Sequence, residues 1–290
     1  MNIRNGLKMK IIILFMLTTN YPNIIFSQTW NAYSNDSLRS TMYPRRSLFG
    51  LSISPYIVNK AKATRISGAY QPNTIYGNGF EAGPDYHLQI NNSYSIIIGL
   101  HVDAAATNYK LFISGSDFNP SIGGNVNENG QNAEWAYYMS VPIWIQKRWF
   151  RGRNGFWNAV AGVNVRFYPL RCSRFGVGQN YPDVNGNEIR VLEIDATMGN
   201  NLRPWLNYNL GGGYSLTLRN HNYLQCNLVG NFSNKKIIDG TYQINVTSKP
   251  QSTGTFSANL SYVGLSFSYT ATGANKRLRK IYEEKMKASN

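Results

Sequence analysis

Residues 94–107 read YSIIIGLHVDAAAT, and this stretch decides the fold. Tyr94, Ile96, Ile98, Leu100, Val102 and Ala104 fall on one parity, with Ser95, Gly99, His101, Asp103 and Thr107 on the other. A period of two puts successive side chains on opposite faces of an extended strand. The result is a strand with one apolar and one polar face. About a dozen residues exceeds the usual soluble strand of roughly five or six. It suits a tilted strand crossing a hydrocarbon layer.

The same pattern recurs eight times, at 48–58, 79–90, 94–107, 134–146, 156–168, 205–218, 222–233 and 256–270. The connectors 91–93, 147–155 and 219–221 are short, while 59–78, 108–133, 169–204 and 234–255 are long. Even strand number and alternating connector length are the marks of an outer-membrane barrel, with short turns in the periplasm and long loops outside. The expected fold is therefore all-β: an eight-stranded antiparallel up-and-down transmembrane β-barrel. A secreted soluble β-sandwich shares the alternation but calls for shorter strands and more even connectors.

Faces follow from parity. Strand two turns Phe80, Ala82, Pro84, Tyr86, Leu88 and Ile90 to lipid, and Glu81, Asp85, His87 and Gln89 to the lumen. Strand four turns Trp135, Tyr137, Met139, Val141, Ile143 and Ile145 outward; strand five turns Asn158, Asn164 and Arg166 inward. In strand eight Ala258, Leu260 and Tyr262 share one parity, then Val263, Leu265, Phe267 and Tyr269 take the other, which reads as a bulge near Tyr262–Val263. The long connectors, such as FNPSIGGNVNENG at 118–130, read as mobile surface loops.

The N-terminus has Arg4, Lys8 and Lys10 ahead of a short apolar run, IIILFML at 11–17, and the small residue Ser27. That is the layout of a Sec-type signal peptide over residues 1–27, too short for a spanning helix. The expected organisation is then a periplasmic segment at 28–46, the barrel at 47–272 and a basic periplasmic tail at 273–290. In that tail Leu278, Ile281, Tyr282 and Met286 could share one side of a helix, though its charge pattern fits a solvated basic tail better.

Composition agrees. Charged residues are 15% and aromatics 13%, with 20 Tyr, as girdles at two interfaces require. Mean hydropathy is −0.35, because every second residue of such a strand is polar. The net charge is +15, and +12 without the three basic residues of the leader. Excess positive charge can bind nucleic acid, but an exported barrel meets membrane phosphates first, on phospholipid and lipopolysaccharide. Those lipids, and envelope proteins reached through the loops or the tail, are the expected partners, and nucleic acid is not. Cys172 and Cys226 fall at opposite ends of the layout, too far apart to bridge, and Cys226 faces lipid as a small hydrophobe.

Three stretches carry a resemblance. GFEAGPDYHLQINNSYSIIIGLHVDAAATNYKLFI (79–113), YYMSVPIWIQKRWF (137–150) and YVGLSFSYTATG (262–273) resemble the PorT-like outer-membrane barrels of Bacteroidetes-type bacteria: a Gly-x-Glu-Ala-Gly hairpin, a mid-strand proline followed by basic residues, and a closing strand. The resemblance covers about 47–272. It implies an eight-stranded barrel, and membership, for one relative, of a protein-secretion machinery. This chain departs from it in the basic extension after Tyr269.

The three histidines decide against catalysis. His87 and His101 face the lumen and His221 sits in a short turn, so none lies at the outer rim beside an accessible nucleophile. No catalytic residue, cofactor or metal site is expected, since no third ligand has metal spacing to the lumen histidines and no Cys-x-x-Cys occurs. If the tight turn centres on Asn92, Glu81 lies opposite Asp103, and Asp85 and Gly83 lie near His101. Arg166 points inward at a similar height. Paired carboxylates can mark an acid/base site. The plainer reading is an ionic network of Glu81, Asp85, His87, His101, Asp103 and Arg166 filling a narrow lumen, because buried charges need partners. The function this predicts is a structural or interaction barrel, an accessory of an envelope or secretion machine. The alternatives are a narrow pore for small solutes or ions and, less favoured, a lipid-modifying enzyme.

Overall fold

The computed structural model describes residues 48–91, 93–118, 122, 124–150, 155–169, 173–182, 185–199, 203–218 and 222–271. Its strands are β1 (Leu48–Val58), β2 (Lys62–Ser67), β3 (Asn73–Ile75), β4 (Gly77–Gln89), β5 (Tyr94–Gly99), β6 (His101–Ile113), β7 (Val126–Phe150), β8 (Gly155–Phe167), β9 (Ser173–Pro182), β10 (Glu188–Met198), β11 (Trp205–Thr217), β12 (Tyr223–Ser233), β13 (Ile238–Ile244), β14 (Ser252–Ala258) and β15 (Tyr262–Ala271). One 3-10 turn, Gly115–Asp117, is the only helical element among the described residues.

Eight of these positions make the barrel. The order runs β1, β4, β5 with β6, β7, β8, β11, β12, β15, and β15 returns to β1. Every pairing is antiparallel. Closure removes the open edges a flat sheet would expose. The third barrel strand is broken at Leu100, where β5 ends and β6 begins. There the Leu100 N–H still reaches the Pro84 carbonyl at 3.1 Å. Prolines stand on both sides of the break, Pro84 on β4 and Pro142 on β7, and neither has an N–H to give a ladder.

The strand faces divide cleanly. On β1, Leu48, Gly50, Ser54, Tyr56 and Val58 are buried while Phe49, Leu51, Ile53 and Ile57 are 54–68% exposed. The same split holds on β12 and β15, where Leu224, Leu228, Phe232, Val263, Leu265, Phe267 and Tyr269 lie bare on the outside. An exposed apolar surface running right round a barrel is far larger than the patches soluble proteins carry, and marks the lipid-facing wall. Cys226 lies on that wall, free.

Three expectations need correction. Strand eight does not run from 256 to 270 with a bulge. Ser252–Ala258 and Tyr262–Ala271 are separate strands, joined by a sharp turn in which Leu260 takes the left-handed conformation with φ 54°. The change of parity at Tyr262 is a change of element, and Tyr262 faces the lumen. The connector 147–155 is shorter than expected, because β7 continues to Phe150 and buries Arg148 inside the barrel. The long loops are not irregular. Parts of three of them form a second antiparallel sheet, in the order β2, β14, β13, β10, β9. The leader, Cys172, His221 and the basic tail lie outside the described residues.

The second sheet covers the long-loop end of the barrel. Leu192, Ile194 and Met198 on β10, Tyr242 and Ile244 on β13 and Phe256 on β14 bury one face. They pack in a single apolar cluster with Tyr56, Val58, Tyr138, Trp205 and Tyr262 of the barrel. Each aliphatic side chain so buried contributes about 1.5–3 kcal/mol. The opposite face is polar: Asp195, Thr241, Thr255 and Thr64 stand directly across from one another on successive strands.

Candidate functional site

The chemistry of the described residues is concentrated inside the barrel. The β4–β6 register pairs Glu81 with Asp103, and the β7–β8 register pairs Ser140 with Arg166, which brings the arginine in from the far wall. Arg166 is fully buried. Its Nη2 donates to Asp103 Oδ1 at 3.2 Å and to Glu81 Oε2 at 3.5 Å, and its Nη1 donates to Asn231 Oδ1 at 3.3 Å. The guanidinium also lies over the rings of Tyr138 and Tyr262, at 4.8 and 5.3 Å from their centres.

His101 stands beside this group. Its Nδ1 is 2.5 Å from Glu81 Oε1 and its Nε2 is 2.9 Å from Asp85 Oδ1. Both ring nitrogens are thus held by carboxyl oxygens, both from the lumen face of β4. Tyr262 completes the shell of Glu81 by donating to Oε2 at 2.6 Å. The structure thus joins Glu81, Asp85, His101, Asp103 and Arg166 into one connected group. It places His87 lower on the same wall of β4, near the short-turn end, with Nε2 unpartnered among the described residues.

Glycines make this packing possible at two points. A Cβ at Gly99 would come within 2.4 Å of Asp85 Oδ1 and 2.8 Å of His101 Nε2, and a Cβ at Gly79 within 2.1 Å of the Tyr56 ring. Only glycine leaves room for a large side chain to lie flat against the strand.

Several contributors escaped the sequence reading. Ser52 Oγ lies 3.2 Å from His101 Nε2, so a hydroxyl, an imidazole and the Glu81 carboxylate stand in line. Asp85 meets the same nitrogen, so Nε2 is shared between a hydroxyl and a carboxylate. Ser52 was invisible because its height depends on how the long loop returns into β4. Tyr262 opens a strand whose start the parity alone does not mark, and Arg148 lies in a basic run that reads as a connector although β7 continues through it.

Below the ionic group the lumen stays full. Ile97, Trp144 and Val160 form a small apolar layer, and Trp144 donates to Asn164 Oδ1 at 2.8 Å. Beside the ionic group, Asn231, which accepts from Arg166, also bonds Asn207 and Asn209, each at 2.7 Å. Above the ionic group, the Tyr56 hydroxyl donates to the Ala104 carbonyl at 3.1 Å beneath the apolar sheet.

No family model matches the chain, and no curated protein matches it. Among solved structures, the outer membrane protein OprG from Pseudomonas aeruginosa aligns over 79% of this chain and 98% of that chain, at 11% identity and a TM-score of 0.35. The TodX deltaS2S3 mutant monoaromatic hydrocarbon channel aligns over 81% of this chain and 73% of that one, at 8% identity and 0.34. The β domain of the Bordetella autotransporter BrkA covers 78% and 98%, at 13% identity and 0.26. At TM-scores this low, the fold rests on the chain's own strand pairing. That pairing, with the apolar outer wall and the polar filled interior, defines an eight-stranded transmembrane β-barrel.

Proposed function

We propose that this is an integral outer-membrane barrel, exported by its Sec-type leader, whose role is structural or interaction-based rather than catalytic. Long loops lie outside the cell and short turns in the periplasm in this reading. The PorT-like resemblance points the same way, toward an accessory of an envelope or secretion machine. The observation that carries the proposal is the closed interior. The lumen is filled by the Arg166 group and its neighbours, and the loop sheet covers its outer end with a packed apolar core. A barrel so filled presents surfaces rather than a passage. The surface on offer is the polar outer face of the sheet.

A narrow pore for small solutes or ions is the second reading. It is favoured by His87 Nε2, Gln146 Nε2 and Thr270 Oγ1, which are buried without protein partners among the described residues and so call for water in the short-turn half. It requires the sheet to move aside. Two measurements separate the readings. Photo-crosslinkers at Thr241 and Thr255 in native outer membrane should trap a defined envelope protein, and purified barrel in planar bilayers should give only brief flickers. A steady, reproducible conductance step with no crosslinked partner would overturn the interaction role.

A further inference from the structure

The outer wall holds a cation that no acidic side chain among the described residues pairs with. Lys147 stands on the lipid-facing parity of β7 at the short-turn end, directly across from Tyr94 on β5. Its Nζ lies 5.5 Å from the Tyr94 ring centre and 5.3 Å from that of Trp149, two residues along the same face. Two flanking rings hold the ammonium in place at little cost in charge. No ion pair among the described residues includes Lys147.

The support beneath is fixed. Asn91 Oδ1 accepts from the backbone N–H groups of Ser93 and Tyr94 at 2.8 and 2.9 Å, and the Arg148 N–H donates to the Ser93 carbonyl at 2.7 Å. The turn that carries Tyr94 is thus tied to the strand that carries Lys147. The Trp149 indole N–H is buried and without a partner among the described residues, so the ring meets the ammonium by its face and not by its N–H.

From Lys147 toward the middle of the wall the surface changes character. Ile145 pairs with Ile96 and Ile143 with Ile98, on the same outward face. These four β-branched side chains are stiff and make a smooth apolar strip. A cation at one end, two aromatic rings beside it and an isoleucine strip leading into the membrane match the parts of a phospholipid in order: phosphate, glycerol ester, acyl chain.

We propose that this strip between β5 and β7 is a seat for one glycerophospholipid, its phosphate on Lys147 and an acyl chain along the four isoleucines. The seat discriminates by headgroup charge, because the ammonium has no acidic partner among the described residues. The choice of a glycerophospholipid over lipid A rests on the proposed orientation, in which this end faces the periplasmic leaflet.

The test is native mass spectrometry of the full chain, released from detergent after incubation with phosphatidylglycerol, phosphatidylcholine or lipid A. Wild type should retain one phosphatidylglycerol in preference to phosphatidylcholine. Lys147→Gln should lower the retained fraction about fivefold, the effect of one lysine at a membrane surface. Lys147→Arg should keep most of it, and Lys110→Gln, on the distant part of β6, should change nothing. Heat-modifiability of each variant checks that the barrel is intact. Retention of phosphatidylglycerol unchanged in Lys147→Gln overturns the seat. Lipid A held at Lys147 in place of phosphatidylglycerol overturns the glycerophospholipid assignment and, with it, the orientation. Surface labelling of loop tags decides the orientation independently.

Discussion

Tyr56 and Tyr262 stack face to face, with ring centres 3.9 Å apart and planes 10° from parallel. They come from β1 and β15, the first and last strands of the barrel, so their contact lies across the closing seam. One hydroxyl bonds the wall at Ala104 and the other bonds Glu81. The pair is a floor between two chemistries, the ionic group of the lumen and the apolar core of the loop sheet.

That placement makes the ionic group costly to break. Removing one partner of a buried ion pair costs about 3–5 kcal/mol, because the other charge stays buried. Arg166→Ala should lower the temperature at which the barrel shifts on a semi-native gel. Adding Glu81→Gln and Asp103→Asn should restore much of the loss. A melting temperature for Arg166→Ala equal to wild type would show that Arg166 does not hold the group together.

Space is as critical as charge. Gly99→Val should destabilise the barrel by about 1–3 kcal/mol, the usual cost of overpacking, by driving into Asp85 and His101. Gly124→Ala, with nothing within 4 Å of its added carbon, is the matched control. Denaturant unfolding in detergent reads both. Equal midpoints for the two variants would mean the lumen is looser than its packing implies.

The loop sheet should respond to alkali. Tyr181 is pushed up to about 12 by burial and then by the Glu128 carboxylate to which it donates, and Tyr70 to about 12 by burial and the nearby Asp117 carboxylate. An unfolded tyrosine ionises near 10. The stabilisation is therefore complete below about pH 10 and is lost as the pH rises toward 12. Hydrogen exchange in β9 and β10 should accelerate across that window while β11 and β12 stay protected. Tyr181→Phe should blunt the change; an identical profile in that variant would remove Tyr181 from the account.

Topology can be read from cells. Tags at Asn127 and Asn185, on the long-loop side, should be labelled on intact cells. A tag at Asn154, in the short connector between β7 and β8, should stay hidden until the outer membrane is opened. Labelling at Asn154 on intact cells would invert the barrel.

The barrel was legible because each of its strands separates lipid from lumen, so Phe80, Glu81 and Ala82 announce their faces by chemistry alone. The Glu81–Asp103 pairing could be counted from a turn centred on Asn92 in the short connector 91–93. The loop sheet was not legible for equally local reasons. The β9–β10 ladder slips between Arg190 and Leu192, which places Val191 and Leu192 both in the core and breaks the alternation. β2 carries exposed side chains on both parities, Ile66 among them, so no face stands out. Ser52 reached His101 through a register set by a long loop, and sequence spacing does not encode that distance.

The pairing of β2 with β14 sets an order of events. Ser67 Oγ meets Thr253 Oγ1 at 2.8 Å, although 186 residues separate them along the chain. β2 follows the first wall strand and β14 precedes the last, so the sheet cannot be completed until nearly the whole barrel chain is in place. Contacts this far apart form slowly. Assembly should therefore pass through a stage in which all eight wall strands are inserted and the long-loop end is still uncovered, an interval when the barrel stands open at that end.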